Sequence, residues 1–131
     1  MPSSEVAEGV DRSNSADVTG IASLAAMASH AWRLSRLSRR AIERLPGEDA
    51  ARHANQLRYI ERQIEEELVK AGLKVVDLDG QAFDAGTAAT ALNAADFEAG
   101  EALRIAQTLE PVVVGRDGLL RYGVVMLGRI E

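Results

Sequence analysis

Lys70-Ala71-Gly72-Leu73-Lys74 is the stretch on which the fold of this chain turns. Upstream of it apolar residues recur every three or four positions, the spacing of a helical face; downstream they gather in short β-branched runs broken by Asp-Gly and Gly. A helical arm therefore precedes the junction and a compact β unit follows it. Lys70 in a last helical turn, Gly72 past its end and Leu73 beyond have the order of a Schellman-type stop, where glycine takes up the left-handed conformation.

Working back from the junction, Ala50, Ala54, Leu57, Ile60, Ile64, Leu68 and Ala71 mark the inner face of one helix. Glu48 and Asp49 stand at its start, where acids complement the positive end of the helix dipole. Pro46-Gly47 separates it from an earlier helix, since proline cannot continue the hydrogen-bond ladder. In that earlier helix Leu24, Met27, Ala31, Leu34, Ser38, Ala41 and Leu45 alternate steps of three and four, the a/d seam of a bundle. Ile21, Ala28 and Ile42 widen the seam beyond what a two-stranded zipper uses. So short a break predicts an antiparallel helical hairpin over residues 18–71. Its Ala-rich faces bury little area at ~25 cal/mol per Å². A homodimer closing a four-helix bundle would supply the rest, with Leu24, Met27, Leu34, Leu45, Leu57, Ile60, Ile64 and Leu68 at the dimer interface. Residues 1–17 are polar and small, which predicts a disordered tail.

Charge is distributed unevenly along the arm. Arg33, Arg36, Arg39, Arg40 and Arg44 cluster on the first helix with only Glu43 among them, while Glu61, Glu65, Glu66 and Glu67 crowd the second. Ion pairing within the bundle is the first expectation for the arginines, a face for a partner the second, and nucleic acid a distant third. Trp32 precedes Arg36 by one helical turn, within reach of a cation–π contact.

Downstream of the junction, residues 72–131 read as a small antiparallel or barrel-like β domain, giving an α+β chain. Lys74 to Leu78 is a first strand, and Asp79-Gly80 is a hairpin-type turn signal. Thr87 to Asn93 balances Ala-rich helical propensity against flanking glycine and short length, and is taken as a strand. Pro111, inside the run from Glu101 to Val114, demands an edge, a bend or a split into two strands. Gly115-Arg116-Asp117-Gly118 is a turn, and a closing strand runs from Leu119 to about Arg129.

Composition narrows the function further. The 131 residues carry a net charge of -5, with five Lys or Arg against nine Asp or Glu after residue 71. Aromatic residues make up 4%, too few for a platform that stacks bases. There is no cysteine, which excludes disulfides, thiol chemistry and iron–sulfur ligation. The longest apolar stretch, Ile21 to Trp32, is interrupted by Ser23, Ser29 and His30 and is too short to span a bilayer. The N-terminus lacks the basic segment of a secretory signal, so a cytoplasmic location is expected. Asp77, Asp79 and Asp84 are acidic neighbours without the spacing of a calcium loop, and His30 and His53 form no metal-binding pair. With no phosphate-binding loop, dinucleotide fingerprint or nucleophile elbow, the expectation is a non-enzyme with no catalytic residues, no metal and no cofactor.

Three segments together resemble the GrpE family of nucleotide exchange factors for DnaK-type chaperone ATPases. They are the junction Ala71-Gly72-Leu73-Lys74-Val75-Val76, the pair Phe83-Asp84, and the closing run Leu119-Leu120-Arg121-Tyr122-Gly123-Val124-Val125-Met126-Leu127. The resemblance covers about residues 55–128 and has departures: Ala85 stands for a family proline, Ala88 for a histidine, Tyr122-Gly123 for Pro-Ala, and a folded-back hairpin for a long stalk. It implies a homodimeric co-chaperone whose β domain binds a DnaK-type or related actin-like ATPase and promotes nucleotide release. Gly72, Phe83, Asp84, Arg121, Tyr122, Val124 and Met126 would be the partner-binding residues. The alternative is a dimeric adaptor of the same shape, without exchange activity, docking through its Arg-rich helix.

Overall fold

The computed structural model describes the backbone of residues 2–130 and the side chains of residues 17–130. Two helices, α1 (Pro2–Ile42) and α2 (Gly47–Lys70), are followed by seven strands: β1 (Lys74–Val76), β2 (Ala82–Phe83), β3 (Ala89–Ala91), β4 (Leu103–Glu110), β5 (Val112–Gly115), β6 (Gly118–Arg121) and β7 (Gly123–Arg129). The architecture is α+β, a helical hairpin joined to a small β domain. The tail expected over residues 1–17 falls on residues 1–16, whose side chains lie outside the described residues, and on the exposed Asp17. No helix among the described residues is long and apolar enough to cross a membrane.

The β domain consists of two sheets. β1, β5 and β6 form one, in the order β1-β5-β6; β2, β4, β7 and β3 form the other, in the order β2-β4-β7-β3. All pairings are antiparallel except β3 with β7, so the domain is mixed rather than purely antiparallel. The parallel pair is extended by Asn93, whose amide donates to the Leu127 carbonyl at 3.0 Å and accepts from the Leu127 N–H at 2.8 Å.

Chain breaks are what distribute strands between sheets. Pro111 divides the run from Glu101 to Val114 into β4 and β5, and β4 belongs to one sheet while β5 belongs to the other. Tyr122 interrupts the expected closing strand in the same way, sending the chain back from β6 to β7. The Asp79-Gly80 turn likewise carries the chain between sheets instead of closing a hairpin, because β1 pairs with β5 and β2 with β4. The remaining turn, at Gly115 to Gly118, does close a hairpin between β5 and β6.

Alternation along the strands places the core between the two sheets. Leu78, Ile105, Val112, Val125 and Leu127 are buried there, with Val76, Phe83, Leu103 and Val114 packed against them. The next residues along β1 and β5 point the other way: Val75 and the buried Val113 join Leu73, Ala25 of α1 and Leu68 of α2 in a second cluster. The three-stranded sheet is thus the middle layer, with the helices on one face and the four-stranded sheet on the other.

The hairpin is held more lightly. Along α2, Ala50, Ala54, Leu57, Ile64 and Leu68 are half-buried, and none of its residues is fully buried. Among the described residues the buried positions of α1 are Ala25, Ala28 and Ser29, small residues that let the helix approach its neighbours closely. Among the described residues one ion pair crosses between the helices, Arg39 to both carboxylate oxygens of Glu61 at 2.7 Å.

Candidate functional site

The joint between arm and β domain has the geometry its residues foreshadow. The Leu73 N–H donates to the Leu68 carbonyl at 2.8 Å and the Gly72 N–H to the Val69 carbonyl at 3.0 Å, the two bonds of a Schellman motif. Gly72 has φ of +76°, and a Cβ there would come within 2.2 Å of the Arg116 Nε. Arg116, from the β5–β6 turn, lies over the glycine and donates to the Lys70 carbonyl at 3.4 Å. Leu73 is buried at once, so the chain passes from helix cap to core within one residue.

A second connection was not foreseen as a unit. Arg36 of α1 reaches across to the β domain, pairing through Nη2 with Asp77 and, at 3.0 Å, with Asp79, and donating through Nη1 to the Thr108 carbonyl at 3.4 Å. Its guanidinium sits 4.2 Å from the ring centre of Trp32, the expected cation–π contact. Thr108 is buried in β4 and completes the network: its hydroxyl donates to Asp77 at 3.2 Å and accepts from the Leu78 N–H at 3.1 Å. Its own N–H donates to Asp79. Burial pushes the Asp79 carboxyl up, but hydrogen bonds from Thr108 and Arg36 outweigh it and hold the group below its ordinary value. Two of the three clustered aspartates are therefore partners of an arginine. Asp84 is separate, with its carboxylate accepting from the Gly86 N–H at 2.8 Å within its own turn.

The residues expected to bind a partner divide into two groups, with Gly72 apart from both. Val124 and Met126 share one side of β7, opposite the core residues Val125 and Leu127, and are half-exposed. The parallel register sets Thr90 beside Val124, so Thr90 and Leu92 of the β3 segment face the same way. Leu92 is 63% exposed and Tyr122 is 64% exposed. Arg121, at the end of β6, pairs with Glu110 at 3.3 Å. Phe83 belongs to the other group, packed against the intersheet core, as does Asp84, engaged in its turn. Gly72 lies at the joint. The outer face of the four-stranded sheet thus unites Val124 and Met126 with Leu92, a residue that period-two alternation from Thr90 signals.

The residues expected at a dimer interface also divide. Ile64 and Leu68 turn towards α1 within the single chain, and Leu57 is half-buried. Leu24, Met27, Leu34, Leu45 and Ile60 are exposed, Met27 by 64% and Leu34 by 63%. At 3.6 residues per turn, Met27 and Leu34 project about half a turn away from Ala25, Ser29 and Arg36, the side of α1 that meets the β domain, whereas Leu45 lies in the turn that follows α1. The arginine pairing expected inside the bundle is confined to Arg39 and Glu61 among the described residues. Arg36 serves the β domain instead.

The histidines hold no shared site. His30 is exposed on α1, and His53 lies 2.8 Å from the Asp49 carbonyl one turn earlier in α2. Among the described residues no group of three or more His, Asp or Glu side chains is arranged to hold a metal ion. Comparison with protein-family models, with curated proteins and with solved structures found no match to this chain.

Proposed function

We propose that this chain is a GrpE-like co-chaperone, a cytoplasmic homodimer whose β domain binds a DnaK-type or related actin-like ATPase and promotes release of its nucleotide. The observation that supports the reading is the outer face of the four-stranded sheet, where half-buried Val124 and Met126 lie in line with exposed Leu92, and Tyr122 is exposed beyond them. Monomers seldom leave aligned apolar side chains on a sheet without a use for them. That face belongs to a domain tied to the arm at two points, the Gly72 cap and the Arg36 network, so its orientation is set before a partner arrives. A pre-oriented surface avoids ordering costs on binding. It accelerates nucleotide release only by binding the open state of the ATPase more tightly than the closed one. Catalysis by this chain's own side chains plays no part in the reading.

Stopped-flow release of fluorescently labelled ADP from a DnaK-type ATPase tests it. Acceleration that rises with this protein and saturates is expected, and Val124→Asp combined with Met126→Asp should abolish it. No acceleration at saturating protein overturns the exchange reading. Binding without acceleration would leave the adaptor as the better description.

A further inference from the structure

The side of α1 away from α2 carries positive charge that the chain does not neutralise. Among the described residues Arg36 is held by Asp77 and Asp79 and Arg39 by Glu61, whereas Arg33 and Arg40 make no ion pair or side-chain hydrogen bond. Both border a groove of about 430 Å³ between α1 and β4. His30 and Leu37 line it from the helix, Gln107 and Leu109 from the strand. Leu37, between the two arginines along the helix axis, is 63% exposed and gives the basic edge an apolar neighbour.

The geometry points to a docking site for an acidic amphipathic helix of another protein. Arg33 and Arg40 are seven residues apart, about two turns and ~10.5 Å along the axis, which places them on one side of α1. A partner helix with carboxylates at i and i+7 repeats that spacing, and a leucine at i+3 or i+4 between them meets Leu37. This is the helix-in-groove mode of recognition with charge added at the rim. Arg36 is not available to such a ligand because two aspartates already occupy it, and it sets the position of α1 against β4. Charge complementarity favours a short acidic segment over nucleic acid. A duplex carries one phosphate charge per ~1.7 Å of its axis, far more than Arg33 and Arg40 can neutralise, whereas a helix with two carboxylates matches them. Leu92, Val124 and Met126 do not line the groove, although Gln107, which does, is the cross-strand neighbour of Met126.

Trp32 is the only tryptophan and lines the groove, so its fluorescence reports occupancy directly. The full chain is titrated with an Ala-rich helical peptide carrying glutamates at i and i+7 and a leucine at i+4. The expected result is saturable quenching or a spectral shift, weakening as salt is raised. Arg33→Glu with Arg40→Glu should weaken binding by about tenfold or more, the scale set by reversing two rim charges. The Gln double variant at the same positions should weaken it less, and Arg62→Glu on the exposed face of α2 should leave it unchanged. Replacing the peptide glutamates by glutamine should abolish binding. Equal binding by the charge-reversed protein or by the glutamine peptide overturns the proposal, as does absence of any binding at low salt. So does tighter binding of duplex DNA or of phosphatidylserine vesicles than of the peptide. A change in self-association of the Arg33→Glu, Arg40→Glu protein, read by light scattering, would place a second copy of this chain in the groove and overturn it equally.

Discussion

In the β domain, strand alternation sends Ile105, Val113 and Val125 into complete burial, while in the hairpin Met27 and Leu34 stand mostly in water. The two regions differ because of their periods. A strand buried on one face by a second sheet needs only every other residue to be apolar, and here two sheets and two helices cover three such faces. A helix pair buries a stripe on each helix and leaves the remainder open unless further helices arrive. The β domain therefore contains its own core, whereas the hairpin is closed on one side only. The difference places the closed core between the sheets and leaves large apolar residues exposed on the helices.

The widest separation between the regions should appear in core truncation. Ile105→Ala is expected to lower stability by about 2–5 kcal/mol, the range for emptying a packed site, measured by urea unfolding. A loss near zero would mean that the intersheet core is not the seat of stability. Gly72→Ala attacks the joint itself: a left-handed backbone costs an alanine about 1–2 kcal/mol, and the Arg116 side chain must move as well. Thermal unfolding should show that loss while helix content by circular dichroism stays near that of the parent. If stability is unchanged, the cap is not what fixes the arm.

Arg36→Ala should follow with a loss of roughly 1 kcal/mol, tempered by the partial exposure of the pair. Its acid dependence gives a sharper reading. Asp79 is held below its ordinary value of 3.8 in the folded chain, so the stability it contributes is complete above that value and disappears as pH falls through the lower folded one. Stability measured across the acid range should fall more steeply in the parent than in Asp79→Asn. Parallel curves would show that this carboxylate is not coupled to folding.

Smaller effects distinguish the two faces of α1. The Ser29 hydroxyl is fully buried without a hydrogen-bond partner among the described residues, so Ser29→Ala should raise stability by up to about 1 kcal/mol. A loss would reveal a partner for that hydroxyl. Leu34→Ala, on the opposite side, should change the stability of a dilute monomer by no more than about 0.5 kcal/mol. It should nevertheless weaken self-association seen by light scattering at higher concentration. A large loss in dilute solution would show that Leu34 is packed within the single chain, contrary to its exposure.

How much of this was legible beforehand depends on how local each interaction is. The helix stop at Gly72, the Pro46-Gly47 break, the split at Pro111 and the cation–π pair of Trp32 with Arg36 all follow from residues close in sequence. The strand at Ala89–Ala91 was weakly signalled because alanine favours helix, and its pairing with β7 brings together residues more than thirty positions apart. The candidate surface was half legible. Val124 and Met126 could be taken from the closing run, but Phe83 looked equally suitable until burial placed it in the core.

The amino-acid sequence determined the helix stop at Gly72, the break at Pro46-Gly47 and the turn at Gly115 to Gly118, because caps, proline breaks and glycine turns act over a few residues. Tertiary structure decided which sheet each strand joined, which side of α1 met the β domain, and which arginines kept their charge uncompensated. Those outcomes rest on contacts such as Arg36 with Asp77 and Asp79, formed across about forty residues of chain, and no local preference encodes them.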